Sequence, residues 1–203
     1  MQREENPSLG SVGEGPCELE RLFAENRHRL KRMVGLRMDR RLQGRVDPSD
    51  VVQEAYVDAL ARFPQYCAER QVPPFIWLRF IVGQKLLQLA RTHLGAQKRS
   101  ASREVSLFAG SAPEATSASL ADQLMGKRTS PSNACARAEL KIRVENSLAC
   151  LEEIDREVLA LRHFEQLTNA EAAQLLSITE AACYKRYVRA LRRLKEVMCD
   201  WQS

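Results

Sequence analysis

The sequence contains no long hydrophobic run, and this absence excludes a membrane-spanning helix. Such a helix needs about 18 or more consecutive apolar residues, and no stretch of the 203-residue chain approaches that length. The first ten residues, MQREENPSLG, also lack the apolar core of a signal peptide. We therefore expect a cytoplasmic protein that does not associate with membranes.

Patterns typical of metal binding and catalysis are also missing. The three histidines are isolated and the six cysteines include no C-x-x-C pair, whereas zinc sites and disulfide frameworks require regular spacing. The sequence also contains no phosphate-binding loop and no pair of carboxylates in a context typical of an active-site pocket. We therefore expect no metal, no cofactor, no small-molecule substrate and no enzymatic activity. The cysteines are expected to be reduced thiols: Cys17, Cys67, Cys135, Cys150, Cys183 and Cys199.

Acidic residues are scarce in three segments of the chain, although its net charge is only +5. These basic segments span residues 21–45, 79–103 and 185–195, and the last two contain no acid. Surfaces of this kind suit a polyanion. The acidic residues cluster in a different segment, which suggests a basic protein partner for that face: Asp47, Asp50, Glu54 and Asp58.

A strongly amphipathic helix is predicted to begin next to this acidic cluster. Asp47 is a natural N-cap and Pro48 suits the first helical position. Polar residues including Gln53 fall on one side of the helix. The other side is expected to be a buried apolar stripe, formed by Val51, Val52, Ala55, Tyr56, Ala59, Leu60 and Phe63.

Two further helices are predicted around it, so that the first half of the chain forms a helical bundle. One helix covers residues 22–34. The other follows a loop at residues 64–74 and runs to about Leu94. Phe75 and Trp77 are expected to be core aromatics of this bundle rather than platforms for an unstacked base.

The middle of the chain differs in composition from both halves. Residues 99–138 are rich in Ala, Ser, Thr and Pro and have weak periodicity, which is typical of a linker. A short helix is predicted around Leu120–Met125. A second helical unit then begins near Ala138. The predicted fold class is therefore all-α, with two small helical domains joined by a flexible linker.

The C-terminal unit contains the pattern of a helix-turn-helix. Thr168 and Glu171 have the spacing of a capping box, so a helix is expected to start near Asn169. Residues 177–179 break that helix, and Ser177 occupies a turn position that often needs a left-handed backbone. A second helix follows, and its apolar stripe is predicted to comprise Cys183, Tyr187, Ala190, Leu191 and Leu194.

The opposite face of this second helix is strongly basic, as expected of a helix that enters the DNA major groove. The same pattern also occurs in helical hairpins whose charged face is only solvated, so the motif alone leaves both interpretations open.

Three segments, in this order, resemble the ECF (extracytoplasmic function) sigma factors of bacterial RNA polymerase. They are DPSDVVQEAYVDALARF, FIWLRFIVGQKLLQLARTHLGAQKR and LEEIDREVLALRHFEQLTNAEAAQLLSITEAACYKRYVRALRRL. The linker and the HLGAQKR run are most similar to ECF proteins of planctomycetes. The resemblance implies a disordered tail at 1–17, a region 2-like bundle at 18–98, a linker at 99–138 and a region 4-like domain at 139–200.

The resemblance also implies the partners and the residues that contact them. Core RNA polymerase, promoter DNA and an anti-sigma factor are the expected partners. The core-binding residues, which in the family dock on a coiled coil of the largest subunit, would be Asp47, Asp50, Gln53 and Glu54. The loop at 65–74 and the helix after it would capture and melt the −10 element, with phosphates held by Arg79, Lys85, Arg91, Lys98 and Arg99.

In the C-terminal domain, the resemblance places the −35 contacts on the second helix of the motif. Arg186 and Arg189 would anchor phosphates. The residues at the positions that read the −35 element are Thr179, Glu180, Ala181, Tyr184 and Lys185. The alternative interpretation is a free-standing helix-turn-helix regulator that binds duplex DNA without polymerase, usually as a dimer on a palindrome.

This chain departs from the family pattern at several positions. Gln84 and Gln88 stand where Asn and Asp are frequent, and Ser177 replaces a turn glycine. Glu152 and Glu153 stand where the family usually has a proline.

Overall fold

Helices make up all the regular secondary structure in the part of the chain that the computed structural model describes, which is residues 14–94, 112–126 and 134–199. The predicted all-α class is therefore confirmed. The described helices include none that is both long and apolar enough to cross a lipid bilayer. The helices are α1 (Glu14–Arg37), α2 (Pro48–Glu69), α3 (Pro74–Leu94), α4 (Ser117–Met125), α5 (Ala134–Ala149), α6 (Glu153–Leu159), α7 (Asn169–Leu176) and α8 (Glu180–Cys199). A π-helical turn at Ala160–Phe164 continues α6.

The first three helices pack on one another as a bundle, which we call the N-lobe (residues 14–94). The side chain of Asp47 accepts a hydrogen bond from the Ser49 N–H at 2.7 Å, and Pro48 occupies the first turn of α2. The predicted cap is therefore confirmed. The centre of the bundle is apolar and fully buried, and includes Leu30, Met33, Val51, Ala55, Leu78 and Val82.

The predicted loop at residues 64–74 is wrong in extent, because α2 continues through Pro64 to Glu69. A proline inside a helix removes one backbone hydrogen bond, but the turn beyond it is held by packing. The Tyr66 ring stacks on Trp77 with centroids 4.5 Å apart, and its hydroxyl donates to the Val72 carbonyl at 2.9 Å. The connection therefore shrinks to residues 70–73.

The C-terminal helices form a second unit, the C-lobe (residues 134–199). The predicted short helix is present as α4, and α5 begins four residues before the predicted Ala138. A second apolar cluster joins α4, α5, α6 and α8, and Leu36 at the end of α1 belongs to it as well. Helix α1 itself begins at Glu14, within the segment expected to be a disordered tail.

The two lobes share buried apolar side chains. Val158, Leu161, Leu167 and Ala172 of the C-lobe belong to the same buried cluster as the interior of the N-lobe. Apolar side chains of both lobes are thus removed from water at one continuous contact. The lobes are therefore packed together, rather than held only by their connection.

Candidate nucleic-acid interface

The helix-turn-helix begins with the capping box expected from the sequence. The Thr168 hydroxyl accepts a hydrogen bond from the Glu171 N–H at 3.1 Å, and the Glu171 carboxylate accepts one from the Thr168 N–H at 2.7 Å. Two backbone donors that the helix leaves unpaired are thus satisfied. Helix α7 therefore starts at Asn169, as predicted.

The turn between α7 and α8 has a left-handed residue at Ser177, with φ 54° and ψ 41°. The Ile178 N–H donates to the Ala173 carbonyl at 3.0 Å, which satisfies the end of α7. The Thr179 hydroxyl accepts from the Ala182 N–H at 3.2 Å and caps α8. The break predicted at residues 177–179 is therefore confirmed.

Helix α8 presents one face to the interior and one to solvent. Cys183 and Ala190 are fully buried, and burial raises the pKa of the Cys183 thiol. Leu191 was expected in this buried stripe but is 37% exposed. The predicted base-reading residues share the accessible side, where Tyr184 is 60% exposed. The exposed set is Thr179, Glu180, Ala181, Tyr184 and Lys185.

Two of the predicted phosphate anchors are bound within the C-lobe. Arg186 Nη1 lies 2.7 Å from Asp155 Oδ1 and 3.0 Å from Glu152 Oε2, and Arg189 Nε lies 2.7 Å from Asp155 Oδ2. Burial alone would raise the pKa of the Asp155 carboxyl, but hydrogen bonds from Arg189 and Arg186 outweigh it and lower that pKa. In this structure both arginines therefore hold α8 against α6.

The predicted core-binding residues lie on the exposed side of α2 and its N-cap. Asp47, Asp50, Gln53 and Glu54 are all exposed. Two apolar side chains accompany them, since Val57 is 67% and Leu60 is 43% exposed.

The sequence pattern missed these two apolar residues. It placed Leu60 in the buried stripe, which is wrong, and it gave Val57 no role. A signal existed for Val57, because its position falls outside the apolar stripe of α2. Val57 and Leu60 are three residues apart and therefore lie on the same face of α2, next to the acidic residues.

The predicted −10 contacts are not gathered in one place. Arg79 is 1% exposed, and its Nε lies 2.8 Å from Glu165 Oε2 of the C-lobe. Lys85 lies 3.5 Å from both Glu54 and Asp58 on α2. Arg91 is exposed near the end of α3. The two remaining residues, Lys98 and Arg99, lie outside the described residues.

No group of three or more His, Cys, Asp or Glu side chains suited to a metal ion occurs within residues 14–94, 112–126 and 134–199. The geometry around α8 is instead that of an exposed, capped helix with a basic surface. Besides Lys185, that surface includes Arg192, Arg193 and Lys195.

Comparison with protein families finds one similarity, which lies within the C-lobe. The family model named "Sigma-70, region 4" matches residues 141–194, which run from α5 into α8. A search of curated proteins found no match. Among solved structures, the chain is similar to the one titled "Structure of CnrH in complex with the cytosolic domain of CnrY". The two share 21% identity over 90% of this chain and 88% of that chain, with a TM-score of 0.48.

Proposed function

We propose that this chain is a sigma factor of the ECF type, a non-enzymatic subunit that binds core RNA polymerase, recognises a promoter and permits initiation. The observation that carries this proposal is the match of residues 141–194 to region 4 of the sigma-70 family. The capped helix-turn-helix with an exposed second helix supports it. The planctomycete type, the cytoplasmic location and an anti-sigma partner belong to the same proposal.

In this proposal α8 reads the −35 element in the major groove. The N-terminal residues of such a helix contact base edges, and here Glu180, Ala181 and Tyr184 are exposed at that end. Lys185 and Arg192 lie further along the exposed side and are suited to phosphates, which accept charge-assisted hydrogen bonds without specifying sequence. Arg186 and Arg189 are paired with Asp155 and Glu152, so their part in this proposal is to hold α8 in position against α6.

The N-lobe would bind core polymerase through α2 and capture the −10 element through α3. The acidic residues Asp50 and Glu54 give charge complementarity to a basic partner, and Val57 and Leu60 add apolar area beside them. Strand opening needs no catalytic residue, because trapping an unstacked base offsets the few kcal/mol that unpairing costs.

The test of this proposal is co-elution of the chain with sigma-free bacterial core RNA polymerase in size-exclusion chromatography. We expect the wild-type chain to co-elute and the Asp50→Lys, Glu54→Lys double variant to elute alone. Both side chains are exposed, so their reversal leaves the apolar core unchanged, and Asp58 remains 3.5 Å from Lys85 when the pair with Glu54 is lost.

The matched control is the Glu25→Lys, Glu139→Lys double variant, which makes the same change in charge at exposed positions of α1 and α5. It should co-elute like the wild type. Equal binding by all three proteins would remove α2 as the docking surface. If the folded wild-type chain does not bind core but shifts duplex DNA by itself, the free-standing regulator is correct.

A further inference from the structure

The two sides of the contact between the lobes carry opposite charges. The N-lobe contributes arginines and the C-lobe contributes carboxylates. Arg29 of α1 lies 3.0 Å from Glu171 in the capping box of α7, and its Nη2 donates to the Gln166 carbonyl at 3.1 Å. The Arg29 guanidinium also lies over the Phe75 ring, 3.5 Å from its centroid, which fixes its position on the N-lobe.

The centre of this contact is a buried ion cluster, here called the Glu165 cluster, which consists of Arg37, Arg79, Glu157 and Glu165. Glu165 is fully buried and its two oxygens face different helices of the N-lobe. Oε1 accepts from Arg37 Nε at 2.5 Å, and Oε2 accepts from Arg79 Nε at 2.8 Å. Arg37 also binds Glu157.

The Glu165 cluster also contacts the segment that precedes α4. Arg37 Nη1 donates to the Pro113 carbonyl at 2.7 Å. The Glu165 N–H donates to the Ala160 carbonyl at 3.0 Å, so this carboxylate is positioned by the π-helical turn. Burial alone would raise the pKa of the Glu165 carboxyl, but the charges of Arg37 and Arg79 outweigh it and keep that pKa below its usual range.

A cluster of this kind holds the lobes together only while it is complete. Charges removed from water must be compensated by close partners, and removal of one partner leaves the others buried and unpaired. If Glu165 loses its charge, Arg37 and Arg79 face each other with only Glu157 between them. We call the chain closed when the two lobes are in contact and open when they are separated. In the open arrangement water solvates all these groups, so loss of Glu165 favours it.

The arginines that the closed arrangement covers belong to the basic segments of the N-lobe. Arg29 and Arg37 lie in residues 21–45, and Arg79 begins the second basic segment. We propose that the C-lobe carboxylates bind these arginines in place of DNA phosphates, so that the closed chain is autoinhibited for DNA binding. The Glu165 cluster is the lock, meaning the contact that holds the chain closed. The identification of that DNA as a promoter rests on the proposed function, whereas the lock itself does not.

The experiment compares the full-length wild-type chain with Glu165→Gln by small-angle X-ray scattering and by binding to a fluorescent duplex of arbitrary sequence, without polymerase. A compact chain of this length has a radius of gyration of about 17 Å. We expect Glu165→Gln to increase the wild-type radius by at least about 5 Å, as expected for separated lobes. Its DNA affinity should rise by about tenfold at low salt, because each additional phosphate that the freed arginines neutralise releases counterions from the DNA.

The matched control is Glu139→Gln, which makes the same change in net charge at an exposed position of α5. It should leave both the radius and the DNA affinity at their wild-type values. Circular dichroism should show wild-type helical content in both variants. A folded Glu165→Gln that stays compact, or one that opens without binding DNA more tightly than the control, would overturn the proposal.

A second variant keeps the test decisive if Glu165→Gln fails to fold. Glu171→Gln removes the charge that faces Arg29, while glutamine still serves in a capping box. We expect a smaller expansion and about a threefold increase in DNA affinity, since one cation is released. In that case, wild-type values for both quantities would overturn the proposal. Because no polymerase or promoter is present, these results are independent of the core-binding test.

Discussion

Asp155 shows how a single side chain fixes the orientation of the candidate DNA-binding helix. It is buried on α6, and two arginines of α8 donate hydrogen bonds to it. Such charge-assisted bonds are shorter and stronger than neutral ones. The carboxylate therefore sets the register of α8 on the C-lobe, and the exposed side of α8 depends on it.

The first prediction at this scale concerns Asp155→Asn. We expect the free energy of unfolding at pH 7 to fall by about 2 kcal/mol, because hydrogen bonds to a buried charge are lost. The folded state lowers the pKa of the Asp155 carboxyl. Its contribution is therefore complete above the unfolded pKa of about 4 and is lost as the pH falls through the folded value.

Urea unfolding at pH 7 and near pH 3 would check this prediction. The difference between wild type and Asp155→Asn should be smaller at the lower pH. Glu25→Gln is the control, since Glu25 belongs to an exposed pair with Arg21 and should change stability by less than about 0.5 kcal/mol. A difference that grows as the pH falls would contradict the assignment.

Sequence patterns found the basic character of α8 but not the partners of its arginines. Asp155 is 31 residues before Arg186, and Glu165 is 86 residues after Arg79. Periodicity reports which face of a helix is polar, but it carries no information on which distant side chain meets that face. For the same reason, the sequence could assign Arg79 to a phosphate while the structure places it in the Glu165 cluster.

At the scale of elements, the turn between α7 and α8 is held in a strained backbone conformation. Ser177 has a positive φ of 54°, which costs a residue with a Cβ about 1–2 kcal/mol. We expect Ser177→Gly to raise the free energy of unfolding by up to about 1 kcal/mol, since glycine adopts this conformation without a steric penalty. Chemical denaturation at neutral pH would measure the change.

The control for this prediction lies in the preceding helix. Gln174 is exposed within α7, and Gln174→Gly should lower the free energy of unfolding by about 1 kcal/mol, because glycine is unfavourable inside a helix. Opposite signs for the two substitutions are expected. If Ser177→Gly destabilises the chain as Gln174→Gly does, the left-handed conformation of the turn is incorrect.

Local signals therefore predicted the ends of elements well where the end is determined by neighbouring residues. The cap at Asp47, the capping box at Thr168 and the break at Ser177 are confirmed. Pro64 misled the prediction of α2, because the packing of Tyr66 on Trp77 decides where that helix ends. Tertiary contacts override local propensity at such positions.

At the scale of the whole molecule, the two candidate surfaces differ in their accessibility when the lobes are closed. Asp50 and Glu54 on α2 are exposed, whereas Arg37 and Arg79 are buried by the C-lobe contact. Under the proposed function, lobe closure is therefore expected to reduce DNA binding while leaving the first contact with polymerase unchanged. A protein that is only partly in its competent state shows a reduced apparent affinity for the ligand that requires it.

This difference predicts a separation of two affinities. The wild-type chain and Glu165→Gln should bind the isolated coiled-coil fragment of the largest polymerase subunit with Kd values within about twofold of each other, because closure does not change the α2 surface. The same two proteins should differ about tenfold in their affinity for duplex DNA. Calorimetric titration of the fragment would provide the first comparison.

Two outcomes of the fragment titration have opposite meanings for the closed chain. Tighter fragment binding by Glu165→Gln would contradict the prediction, because the C-lobe would then also hide α2. Loss of fragment binding in the Asp50→Lys, Glu54→Lys variant but not in Glu165→Gln would locate the contact on α2, as proposed.

The spacing of the helical motifs could be predicted from the sequence, but the contact between the lobes depends on residues that no local pattern connects.

The Glu165 cluster also sets a condition for building chimeras from this protein. A C-lobe transplanted onto an N-lobe that lacks counterparts of Arg37 and Arg79 would leave Glu165 without a cation at the contact between the lobes. The hybrid would then either bury a lone carboxylate or stay permanently extended. A graft that carries all four residues of the Glu165 cluster would retain the contact between the lobes, and one that carries only α8 would lose it.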